Sequence, residues 1–280
     1  MTAGRRDRAA LLGLIVIVAA IAAAVLAPVL APADPLKSDL LERLSPPAWA
    51  AGGARAHLLG TDTLGRDVLS RLVHGARVSL VVGFVTVAIA GAVGVLLGVL
   101  GGYYGGWLDD VLMRIGDVQL AFPVLLLGVA LLAVLGAGLG NLILVLAVSG
   151  WITYARIVRR ETLSLKHRDF VEAARALGAR DRHVIWRHVL PNVWAPLVVV
   201  ATFSVARMII AEASLSFLGL GIPAPAPSWG AMLDEGRNYI TTGWWLALFP
   251  GLAILLVVLG INLVGDWLRD LLDPRLERGL

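Results

Sequence analysis

The stretch Asp169 to Asn192, DFVEAARALGARDRHVIWRHVLPN, is a basic and partly amphipathic island between long apolar segments. Asp169 is placed to cap a helix whose third position is Glu172, a variant of the capping box, and Gly178 offers a left-handed stop. The spacing predicts one helix of about two turns. Phe170, Ala173, Ala174 and Leu177 recur at i, i+3, i+4 and i+7, forming an apolar stripe with two small residues at its centre that fits a groove. After Gly178 the chain restarts at Asp181, another N-cap residue, and Pro191 forbids a clean continuation, so a second short helix is expected to be bounded at both ends. The island thus reads as two helices around a glycine hinge. On composition alone it also fits a basic helix lying on anionic lipid.

The rest of the chain looks like membrane. With 58% hydrophobic and 16% charged residues among 280, the protein is too apolar for a soluble domain of its size. It has no cysteine, which removes disulfides and thiolate metal sites. Lys37 and Lys166 are its only lysines, and neither follows the glycine that a phosphate-binding G-K-[ST] requires, so this chain is not itself an ATPase. Neither an H-E-x-x-H nor a G-x-S-x-G pattern is present, and His57, His74, His167, His183 and His188 lie outside the apolar runs, so no catalytic or metal-ligating residue is assigned.

Taken in order, Arg5, Arg6 and Arg8 precede an apolar run from Ala9 past Pro28 to Ala31, long enough to cross a hydrocarbon core of about 30 Å. Small residues around Ala31 to Ala33 also allow a signal peptide, but the later spans favour an uncleaved anchor. From Pro32 to about Gly75 the chain is polar and turn-rich without positive bias. There Asp62 and Asp67 read as turn or cap formers and Gly60 and Gly65 permit positive φ. A metal site on His57, Asp62 and Asp67 has no further support. Val78 to Gly102 is the second expected span, with Gly94, Gly98 and Gly102 at the small-xxx-small spacing of closely packed helices. A connector holding Asp109, Asp110, Arg114 and Asp117 follows, then spans at Leu120–Leu139 and Leu142–Ile157 as a tight hairpin.

The region from Arg156 to Arg187 carries nine basic against four acidic residues. A mid-bilayer arginine costs roughly 2.5 to 3.5 kcal/mol on insertion scales, so this excess marks the cytoplasmic side. The fifth span, Val193 to Ala213, contains Arg207 about 21 Å along it, and Glu212 near its outer end. Five residues apart, the two do not form an i, i+4 pair, so Arg207 is expected to face an interhelical partner or a wet cavity, either lining or gating the substrate path or making a purely structural ion pair. Pro223, Pro225 and Pro227 predict a stiff, extended outer loop, Trp229, Trp244 and Trp245 an outer aromatic belt, and Leu246 to Val264 a sixth span.

Several strings carry a family resemblance. Glu172-Ala173-Ala174, Gly178 four positions later and Leu190-Pro191 resemble the EAA loop of binding-protein-dependent ABC importer permeases. His188 departs from the aliphatic residue usual two before the leucine, and RHVLPN is similar to the peptide-type variant. HLLGTDTLGRDVLSRLVHGARVSL, His57 to Leu80, and AEASLSFLGLGIPAPAPSWGAML, Ala211 to Leu233, resemble the dipeptide, oligopeptide and nickel branch.

The resemblance implies an all-α membrane protein of the type I ABC importer permease fold in the cytoplasmic (inner) membrane, with six transmembrane helices and both termini cytoplasmic. Residues 1–31 form the tail and first span, 32–75 an extracytoplasmic segment, and 76–280 a core of five spans whose coupling loop lies at about 158–192. Implied partners are a second homologous permease, two ABC ATPase subunits or domains, an extracytoplasmic substrate-binding protein and the lipid bilayer, with no nucleic acid. The chain itself needs no cofactor, ATP and Mg belonging to the ATPases. The coupling residues carried over are Glu172, Ala173, Ala174 and Gly178, with Arg175, Arg182, Leu190 and Pro191, while Arg207 and Glu212 are candidates for the translocation path. The expected cargo is a di- or oligopeptide, with a nickel chelate as the alternative. An ion-coupled carrier is disfavoured because the island has no second copy.

Overall fold

In hydrocarbon every backbone polar group must be satisfied within its own segment, and an apolar chain without strict alternation meets that demand as helix. The computed structural model describes residues 3–272, with side chains from Asp7 onward. Arg5, Arg6 and the chain beyond 272 therefore lie outside the described side chains. Eleven α-helices run in order among the described residues: α1 Ala3–Val25, α2 Ala27–Leu30, α3 Val68–Tyr104, α4 Gly106–Leu120, α5 Val124–Leu135, α6 Leu139–Lys166, α7 Asp169–Ala176, α8 Asp181–Val184, α9 Leu190–Phe217, α10 Trp229–Gly236 and α11 Trp245–Leu272. A single isolated bridge, Thr61 with Asp67, is the one β element among them. Five of these helical runs are long and apolar enough to cross a membrane, and α4 with α5 makes a sixth if that bent pair is one span.

The glycine stripe does what its spacing predicts. A Cβ on Gly94 would lie 2.4 Å from the Trp151 carbonyl oxygen, one on Gly98 2.5 Å from that of Ala155, and one on Gly102 2.9 Å from that of Arg159. These absent side chains let α3 and α6 touch backbone to backbone, and the pair forms the spine of the bundle. Against it α9 packs through Val205 and Ile209, both buried, with Gly83 receiving the Ile209 side chain. On the other flank α1 meets α11 where a Cβ on Gly13 would strike the Gly260 carbonyl oxygen at 2.6 Å.

Several boundaries differ from the sequence expectation. The helix that carries the second span begins at Val68, ahead of the expected span at Val78, because Asp67 caps it by accepting from the Ser70 amide at 2.7 Å, and His74 is therefore inside the helix. A third span at Leu120–Leu139 is not found as one helix. The expected connector itself forms α4, ending at Leu120, and the chain turns by 92° before α5, which lies within the expected span. Pro123, at the N-cap of α5, has no amide to continue α4. Alone, α5 is about 18 Å long and too short to cross. The carboxylates of α4, which gave the connector its negative balance, pair with arginines of α6: Asp109 with Arg159 through two hydrogen bonds, and Asp117 with Arg156.

The aromatic belt also needs correction. Trp229 and Trp245 are almost fully buried, their indole N–H groups each donating at 3.0 Å to a backbone carbonyl, those of Leu72 and Thr61 respectively. Each buried indole thus has the partner its N–H needs away from water; of the three, Trp244 is exposed. The proline-rich loop is not one extended run but is broken by turns at 218–219 and 224–225.

Candidate functional site

Arg168 rather than Asp169 stands at the N-cap of α7, and Asp169 and Glu172 occupy its first turn, where carboxylates favour the helix dipole without a side-chain cap bond. Gly178 adopts φ +85°, as its position predicts. The Ala179 amide donates to the Ala174 carbonyl at 3.0 Å and the Gly178 amide to that of Arg175 at 2.9 Å, the two bonds of a Schellman stop. The chain then re-enters helix at Asp181, the first residue of α8.

The second helix is not bounded at Pro191. Ile185–Val189 forms a π-helical turn in which the Leu190 amide donates to the Ile185 carbonyl, and helix continues through α9 to Phe217. The wider turn carries the chain across the one residue that cannot donate, with Pro191 in the first turn of α9, where its missing N–H costs little. The loop's second half is thus one rigid body with a membrane helix.

Which face of α7 is covered also differs from expectation. Val171, outside the predicted stripe, is fully buried, together with Val184 and Val189. Phe170 is 45% and Leu177 90% exposed, with Glu172 and Ala173 exposed beside them and Ala174 and Arg175 half-buried. The predicted stripe therefore looks away from its own bundle. Arg182 and Pro191 are exposed, and Leu190 is half-buried.

Sequence reasoning missed the anchor of this loop. Tyr103, in the last turn of α3, donates from its hydroxyl to Asp181 Oδ1 at 2.6 Å, and its backbone carbonyl accepts from Lys166 Nζ at 2.7 Å. The Arg175 guanidinium lies 5.0 Å from its ring centroid, within cation–π range. One tyrosine thus touches α6, α7 and α8, a convergence with no local signal in the sequence.

Arg207 and Glu212, paired by expectation with the path, part company. Arg207 is exposed and lines a groove of about 410 Å³ between α6, α9 and α11, with Thr153 and Asn262 as polar neighbours. Glu212 is fully buried within the protein, accepting from Ser79 Oγ at 2.9 Å and Ser216 Oγ at 2.8 Å. Hydroxyls from α3 and from its own helix satisfy it where α9 packs closest.

The segment before α3 closes on itself electrostatically. Asp62, Arg66 and Arg71 are buried, with Asp62 Oδ2 accepting from Arg66 Nε at 2.6 Å and from Arg71. Glu235 of α10 accepts from Arg66 at 3.0 Å and from Arg71 at 2.5 and 2.9 Å. His57 stands between Asp67 Oδ1, 2.8 Å from Nδ1, and Glu42 Oε2, 2.6 Å from Nε2. Burial opposes a charge on the ring, but the hydrogen bonds and charges of Asp67 and Glu42 raise its pKa above 6.5. Among the described residues no cluster of His, Asp and Glu is arranged to hold a metal ion.

The chain is thus a many-helix membrane bundle whose one elaborated polar loop is seated by three buried valines and keeps one face bare. Residues 94–278 match the binding-protein-dependent transport system inner membrane component family, and residues 5–47 match the N-terminal transmembrane domain of oligopeptide transport permease C. The chain belongs to that inner membrane component family: it is a multi-pass permease subunit of an ABC transporter, and ATP hydrolysis lies in partner subunits rather than here. It is 45% identical over 271 residues to the di/tripeptide transport system permease protein DppC of Pseudomonas aeruginosa, covering 97% of this chain and 89% of that one. It is 49% identical over 226 residues to the glutathione transport system permease protein GsiD of Shigella dysenteriae, covering 81% and 75%. A chain of the inward-facing MetNI methionine ABC transporter shares the fold at 22% identity, with a TM-score of 0.59 over 72% of this chain and 96% of that one.

Proposed function

We propose that this chain is the permease subunit of a peptide importer, with six spans, the bent α4–α5 pair counting as one, and both termini in the cytoplasm. The observation that carries the reading is the exposed Glu172–Ala173 face of α7, stopped by Gly178 and continued rigidly from α8 into α9. ATP binding closes a pair of partner ATPases on that face. The motion passes through Tyr103 into α3 and through the π-turn into α9, exposing the path to each side in turn. Residues 1–31, 32–75 and 76–280 keep the roles the sequence assigns them, with the coupling loop at about 158–192. A second permease and an extracytoplasmic binding protein complete the assembly, and ATP with Mg acts only in the ATPases.

The nickel-chelate alternative is disfavoured, since the similar curated proteins carry peptide or glutathione names. The path runs along the α6–α9–α11 groove. An arginine turned to lipid at this depth costs roughly 2.5 to 3.5 kcal/mol, so the Arg207 face belongs against water or a partner. Co-purification from the native membrane tests the reading. Two ATPases and a second permease accompany the wild type, and the ATPases are lost from Gly178→Pro and Glu172→Lys. ATPases that stay bound to both variants sink the coupling role of this face.

A further inference from the structure

Arg207 is ten residues before Phe217 and so about 15 Å from that end of α9, inside the membrane-spanning stretch. Among the described residues its one hydrogen bond runs from Nη2 to Ser204 Oγ at 2.8 Å, and no carboxylate pairs with it. Its other donors are free for a ligand in the groove, where Asn262 adds an amide and Thr153 a hydroxyl. The remaining wall is apolar and unspecific: Ile157, Val200, Phe203, Ile210 and Val258. At about 410 Å³ the groove falls in the range of small-ligand pockets, about 300 to 1,000 Å³. One fixed cation beside a tolerant apolar wall suits a cargo with one constant anionic group and variable side chains. A planar guanidinium grips a carboxylate through two parallel hydrogen bonds.

We propose that Arg207 reads the C-terminal carboxylate of the peptide as it passes α9. The inference rests on the path reading above and adds the chemical group that the path recognises. Asn262 orients the same carboxylate, and the apolar wall accepts whatever side chains follow.

The test uses the whole transporter in native membrane vesicles, with a free dipeptide and the same dipeptide amidated at its C-terminus. Each variant's rate is divided by the wild-type rate for that peptide, so that preference of the binding protein cancels. Arg207→Gln is expected to slow the free peptide about tenfold or more while the amide stays within about twofold, as loss of a charge-assisted hydrogen bond requires. Arg207→Lys falls between, keeping the charge without the fork.

Because the chain has no cysteine, Ile210→Cys provides a single labelling site in the groove for a water-soluble thiol reagent. Labelling that free peptide suppresses, with the suppression lost when Arg207→Gln is added, supports the proposal even where the amide is refused by the binding protein. Labelling with equal slowing of both peptides, or with suppression that Arg207→Gln leaves intact, overturns the carboxylate role and leaves the path. No labelling in any state overturns both.

Discussion

The Tyr103 hydroxyl donates to Asp181 Oδ1 at 2.6 Å, so the last turn of α3 and the first residue of α8 are held together although 78 positions separate them. A hydrogen bond to a charged group is worth about 1.5 to 3 kcal/mol. Tyr103→Phe keeps the ring beneath Arg175 and removes only this bond. Peptide uptake is expected to fall several-fold while the ATPases still co-purify and hydrolyse ATP. Equal losses of uptake and of ATPase retention count against a transmitting role.

Gly98 tests the spine of the bundle. Its missing Cβ sits 2.5 Å from a carbonyl oxygen of Ala155, which has no side-chain freedom with which to yield. Gly98→Leu is expected to cost about 1 to 3 kcal/mol or more, as overpacking does, and to lower the thermal midpoint of the purified complex. Gly140→Ala, with nothing within 4 Å, does not lower the midpoint.

The knot at Arg71 predicts a larger loss. Arg71 is 2% exposed and contacts both Asp62 and Glu235, so Arg71→Met leaves those two carboxylates with Arg66 as their one remaining shared cation. Breaking a buried pair from one side typically costs about 3 to 5 kcal/mol. The folded complex should be recovered in much lower yield, and replacement of Asp62 by Asn together with Arg71→Met should restore part of it.

His57 makes stability depend on pH. Its two ring nitrogens each face a carboxylate, and only the imidazolium has a donor for both. The folded state holds the pKa above 6.5, so the group stabilises fully below that value and the contribution is lost as pH rises through the raised folded value. The thermal midpoint is expected to drop across that window, and His57→Gln to flatten the drop. Identical profiles for the two proteins exclude the bridge as a source of stability.

What was legible in the sequence was whatever short-range chemistry decides. Apolar run lengths marked the membrane helices, the Gly94, Gly98 and Gly102 spacing marked their closest contact, and Gly178 marked the stop of α7, because each depends on residues within a few turns. What only the tertiary structure decided was partnership across the chain. Nothing local shows that Asp109 and Asp117 face Arg159 and Arg156, or that Val171 is covered while Leu177 is bare. The same holds for Glu212, whose hydroxyl partners come from α3 as well as from its own helix, and for Pro191, whose helix-breaking tendency is absorbed by a π-turn. A residue's intrinsic preference is worth about 1 kcal/mol or less, about 3 for proline inside a helix, and the packing of distant segments outweighs it wherever the two disagree.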